Sequence, residues 1–235
     1  MAPGPAHVGP PHPTERGAAL ALLPIAATLS YDLLPASLQA HTIVQFAPQL
    51  VAYLALILWG LQNPPAVSYL GLDTAGLGKG LRWGSLVGIV LGAINTLVIL
   101  NLVPALGYDI AFLKDTPHAH IPFVVMVPWF ICGIALLVEV NFRGFLLGRL
   151  ATLESQLRKS GLATCPSPLA LLTSALAFAF DPFMVNTFRD LHWIAVWDGL
   201  IWGMLWLRTR NLYSTIVAHA VEVIVMYLAV RTALE

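Results

Sequence analysis

Residues 138–145 read VEVNFRGF, placing a carboxylate, Glu139, and a guanidinium, Arg143, four positions apart in an otherwise mostly apolar stretch. Four positions is about one helical turn, so the two can pair along one face of a helix. The run that contains them, 122–149, exceeds the ~20 residues a helix needs to cross roughly 30 Å of hydrocarbon. The fold therefore turns on whether the rest of the chain also reads as membrane helices.

Of the 235 residues 58% are hydrophobic and 10% charged, and the mean hydropathy is +0.78. That composition belongs to an integral membrane protein, with the lipid bilayer as its solvent. A net charge of zero leaves no basic excess to neutralise phosphates, which excludes nucleic acid as a partner. Cys132 and Cys165 fit no disulfide or metal spacing.

Seven apolar stretches follow one another at 18–38, 42–61, 83–104, 122–149, 168–185, 193–207 and 211–230. They predict an all-α polytopic protein, a bundle of about seven transmembrane helices forming one domain over 18–235. Residues 1–17, rich in Pro and Gly, read as a flexible cytoplasmic tail, since such a segment cannot build a core. With the N-terminus in the cytoplasm, the inner segments carry Arg16, Lys79, Arg82, Arg149, Arg158, Lys159, Arg208 and Arg210. The outer ones carry Lys114, Arg189 and Arg231, an asymmetry that obeys the positive-inside rule and fits a cell (inner) membrane. Gly84, Gly88 and Gly92, and again Gly199 and Gly203, recur every four residues and read as close-packing helix faces.

At about 1.5 Å per residue, Glu139, Asp198, His219 and Glu222 all fall roughly 12–17 Å from the inner ends of their spans. Ionisable groups at that depth must face a protein interior or a wet cavity and find partners there. Two readings of Glu139 and Arg143 are open. The pair can glue helices together, or Arg143 can orient a carboxylate that polarises water, with His219 sharing proton transfer.

VEVNFRGFLLGRL (138–150) and GLIWGMLWLRTRNLYSTIVAHAVEV (199–223) together resemble the CAAX protease and bacteriocin-processing (Abi) family of intramembrane glutamic endopeptidases. The likeness covers about 82–225, the protease-like core. The family's motifs read EExxxR, FxxxH and HxxxN, and its first Glu is held to activate the attacking water in a cavity open to the cytoplasm. The resemblance implies the family's helical fold and cleavage of a peptide bond within the membrane near its cytoplasmic side. It implies no cofactor and no metal, and a membrane protein or lipidated peptide as substrate. Carried over residue by residue, it makes Glu139, Arg143 and His219 the catalytic candidates; Asp198 and Glu222, at the same depth, and Asp181, beside Pro182, are the auxiliary candidates.

The chain departs from the motifs at three places. Val138 stands where the first Glu belongs, Pro182 where FAFDP (178–182) should end in His, and Val223 where HxxxN should end in Asn. A literal FxxxH, FRDLH (188–192), ends in a His192 at the outer end of its span. Two function classes follow: an endopeptidase with a rearranged site, or a pseudoenzyme serving as a noncatalytic subunit or assembly factor in a larger membrane complex. His118 and His120 near Asp115 read as a solvated loop. Asp32, Asn95 and Asn101 read as interhelical hydrogen-bond groups, and Trp59, Trp83, Trp193 and Trp206 as interfacial anchors.

Overall fold

The structure, a computed structural model, describes residues 15–157 and 167–235. Most of the expected tail, with Arg158, Lys159 and Cys165, lies outside the described residues. Among the described residues every regular element is helical. We number the principal helices α1 (Ala18–Asp32), α2 (Ala47–Gln62), α3 (Leu77–Leu97), α4 (Phe123–Leu157), α5 (Pro168–Ala179), α6 (Pro182–Leu191), α7 (Ile194–Thr209) and α8 (Leu212–Leu234).

Among the described residues three helical segments are long and apolar enough to cross a membrane: Ala66–Ala105, Phe123–Leu157 and Leu212–Leu234. The α5–α6 pair makes a fourth if its 50° bend lies within one span. The difference from seven full spans has local causes. The first expected span stops at Asp32, before Pro35, and the second starts only at Ala47, so α1 and α2 are shorter apolar helices. The fifth breaks at Asp181-Pro182, because proline cannot donate the backbone hydrogen bond that would carry the helix through. Many large apolar side chains point outward, among them Leu29, Leu54, Val124 and Leu169, as suits a surface that faces lipid tails.

The spine of the bundle is α3 against α8. A Cβ added to Gly84 would lie 2.6 Å from the Ser214 carbonyl oxygen, and one added to Gly88 2.6 Å from that of Ala218. At Gly92 it would lie 2.9 Å from Val225 Cβ. Each distance is shorter than a real carbon contact, so the glycine row lets two backbones touch where side chains would hold them apart. Gly199 and Gly203 do the same for α7 on α5, at Ala175 and Leu171.

In α4 the hydrogen-bond ladder loosens to a π-helix over Trp129–Ala135 and again over Val140–Leu147. The second stretch buries every residue from Asn141 to Leu147, an α-helix's single buried stripe widened to a whole turn. Glu139 sits one residue before it and is fully buried.

At the Arg149 end of the bundle the chain is tied down. Glu15 pairs with Arg149 and accepts from Trp59 Nε1 and Thr152 Oγ1, each at 3.1 Å. The Arg16 backbone N–H donates to Asn63 Oδ1 at 2.9 Å. Residues 15–17 are therefore part of the packed domain rather than of a flexible tail. Trp59 and Trp206 are also fully buried, which corrects their reading as interfacial anchors. The Arg149 guanidinium lies over the Trp59 ring and that of Arg210 over Trp206, so the rings act as cation-binding faces inside the bundle.

Gly88→Val is expected to force α3 off α8 and lower stability by roughly 1–3 kcal/mol or more, read as an earlier thermal transition in detergent. A substitution of the open Gly78, which has nothing within 4 Å of its Cβ position, is expected to leave the transition nearly unmoved.

Candidate functional site

Four helices bring their polar groups to one layer. From α4, Glu139 Oε1 lies 3.1 Å from Arg143 Nη1, one turn further along the same helix. From α8, His219 Nδ1 lies 2.9 Å from the same oxygen. A carboxylate oxygen only accepts, so the short contact makes Nδ1 the protonated ring nitrogen of His219. Nη1 meets Glu139 as a charge contact, without an aligned hydrogen bond, and Glu139 Oε2 has no partner among the described residues.

Two aromatic rings hold Arg143 and His219 in position. The Arg143 guanidinium carbon lies 4.4 Å from the Phe178 ring centre and 4.9 Å from that of Trp202. His219 stacks on Trp202 at 4.4 Å and meets Phe178 edge-on at 6.3 Å. Phe178 is the residue that opens FAFDP, and here it packs on the charged core. Trp202 lies four residues after Asp198 and so shares its face of α7.

A second polar group adjoins the first. Asn95 of α3 donates from Nδ2 to Asp198 at 3.1 and 3.3 Å and to Glu222 Oε1 at 2.7 Å. Its Oδ1 accepts from Trp197 Nε1 at 2.9 Å, which fixes which end of the amide faces the acids. Arg143 acts electrostatically on Asp198 and Glu222 as well as on Glu139. Asn95 falls one turn beyond Gly92 on the glycine face of α3, so its sequence position already pointed into the bundle.

A cavity of about 460 Å³ adjoins this layer. Its walls are mostly apolar, and its polar floor is formed by Asp198, His219 and Glu222. Trp202, Val138 and Val223 also line it, so two of the positions where the chain departs from the expected motifs face the cavity as bare valines. Glu139 and Arg143 are absent from its lining and lie behind His219. From the floor the cavity extends along α8 to Lys114, Arg231 and Leu234.

Asp181 lines the same cavity but belongs to another network. It caps α6 by accepting from the Phe183 N–H at 3.0 Å and takes a hydrogen bond from Gln49 Nε2 at 2.8 Å. His192 contacts the Arg189 carbonyl and the Phe180 ring instead of Glu139. Among the described residues no three His, Cys, Asp or Glu side chains gather as a metal-holding group.

Residues 120–225 match the family described as Rce1-like, type II CAAX prenyl endopeptidase Rce1-like. The searches of curated proteins and of solved structures find no match. The matched segment contains Glu139, Arg143, Asp198, His219 and Glu222, and it begins after α3, so Asn95 lies outside it.

Arg143→Met is expected to strand Glu139 in a site with no water to replace the lost cation, at a cost of about 3–5 kcal/mol. The double variant Glu139→Gln with Arg143→Met is expected to recover most of that loss, measured by thermal unfolding of the purified proteins in one detergent.

Proposed function

We propose, from the match of residues 120–225 to the Rce1-like family, that the chain is an intramembrane endopeptidase-like protein whose substrate is a peptide bearing an apolar segment or lipid chain. The observation that carries this reading is the apolar cavity ending on His219 and the two acids Asp198 and Glu222. An apolar chain fills such a space and leaves its peptide bond at the polar floor, where water and proton-transfer groups meet.

His219 is a catalytic residue on this reading. Glu139 accepts the hydrogen bond from Nδ1–H and so fixes the ring, leaving Nε2, which has no hydrogen-bond partner among the described residues, to face the water or the leaving amine. Arg143 holds Glu139 in place, so both are positioning residues. The valines at 138 and 223 supply none of the polarity the family pattern has there, and the acids of the floor compensate.

With the N-terminus cytoplasmic, as the positive-inside count suggests, the cavity leads from mid-bilayer toward the outer end at Lys114 and Arg231. At the opposite end Trp59, Trp206, Leu207 and Leu212 are fully buried. Access from the outer side departs from the cytoplasm-side cleavage that the family resemblance implies.

The test is cleavage by the purified protein in detergent micelles, which expose both ends, of a prenylated CAAX peptide and of apolar transmembrane peptides, read by mass spectrometry. Wild type is expected to release defined fragments, and His219→Ala to slow release by roughly 10²–10⁴. A wild-type protein that is folded and releases nothing from any of them makes the chain a noncatalytic subunit instead.

A further inference from the structure

Every hydrolysis of a peptide bond needs a base for the water and an acid for the carbonyl oxygen or the leaving amine. In this chain Val138 cannot be the base, and Glu139 is walled off from the cavity by the side chains it holds. Two other carboxyl groups do reach the cavity side by side. Asp198 and Glu222 are clasped by one amide nitrogen, that of Asn95, at 3.1 and 2.7 Å. Two carboxyl groups that share one donor are held side by side, where like charges repel, so a single proton on the pair makes one member an acid and the other a base.

Two further observations point to a ligand at this pair. Among the described residues Glu222 Oε2 is buried without a hydrogen-bond partner, although the residue is 2% exposed and lines the cavity. Independently, Trp202 Nε1, on a ring also 2% exposed and in the same wall, is a donor with no acceptor among the described residues. Leaving such groups unmade costs about 1–3 kcal/mol each, so an unfilled acceptor and an unfilled donor beside one cavity mark the places of a water and of a carbonyl oxygen.

Resting on the protease reading above, we propose that Asp198 and Glu222 are the catalytic acid–base pair of this protein, Asn95 their positioning residue, and Trp202 Nε1–H the donor to the carbonyl oxygen. The ionised member takes a proton from water as the water oxygen bonds to the scissile carbonyl carbon. The protonated member gives its proton to the carbonyl oxygen, which Trp202 holds. As the tetrahedral intermediate collapses, the C–N bond breaks and the amine leaves with the proton the first member took. The remaining hydroxyl proton returns to the pair, so one peptide bond and one water give one acid and one amine. Arg143, Glu139 and His219 are the other charged or titratable groups of this polar layer, contributed by α4 and α8.

The experiment compares wild type, Asp198→Asn, Glu222→Gln and Trp202→Phe in the micelle cleavage assay. It also treats wild type with a diazoacetyl ester and Cu(II), which esterifies the protonated member of a carboxyl pair. Each acid variant is expected to lose cleavage by roughly 10³ or more and Trp202→Phe by roughly 10–10². The reagent is expected to tag Asp198 or Glu222 in proportion to lost cleavage. Cleavage that survives in both acid variants, or that is lost with the tag elsewhere, overturns this assignment and leaves the protease reading standing. Absence of cleavage by folded wild type overturns both. Should the acid variants fail to fold, the reagent on wild type alone decides.

Discussion

A carboxylate with no exposed surface, Glu139, governs the interior of this bundle. An ion taken out of water costs several kcal/mol even after relaxation, and in a bilayer no solvent can replace a missing partner. Arg143 from the same helix and His219 from α8 meet that requirement through one oxygen. Because the two ligands come from different helices, satisfying Glu139 also sets the register of α8 against α4. The Phe178 and Trp202 rings then fill the remaining space around both partners.

The glycine row of α3 is the second condition. Only with α3 and α8 in backbone contact does Asn95 reach both Asp198 and Glu222. Close packing thus produces the acid pair: the same approach that buries Gly84, Gly88 and Gly92 carries the next turn of α3 into the polar layer. The polar groups are divided between two tasks. Glu139 and Arg143 are sealed behind the cavity, whereas Asp198, Glu222 and His219 form its floor.

Much of this was legible in the sequence, and for identifiable reasons. Apolar run length gave the helices of α3, α4 and α8, and depth counting along them placed Glu139, Asp198, His219 and Glu222 in one layer. Helical spacing alone predicted the Glu139–Arg143 contact. Span count was less legible, because hydropathy does not register the breaks at Asp32 and at Asp181-Pro182. The sequence also hid the tie of Glu15 to Arg149, since a Pro- and Gly-rich neighbourhood says nothing of a single buried ion pair at its edge. Which carboxylate faces the cavity depends on helix rotation, and the π-helical stretch after Glu139 shifts that rotation in a way no periodicity reveals.

The central claim is that Glu139 holds the Nδ1 proton of His219, and nitrogen-15 NMR of selectively labelled His219 in micelles tests it most directly. The account predicts a protonated Nδ1 coupled to a hydrogen-bonded proton, with that signal displaced in Glu139→Gln. An unprotonated Nδ1 in wild type, or a ring signal indifferent to Glu139→Gln, would contradict it.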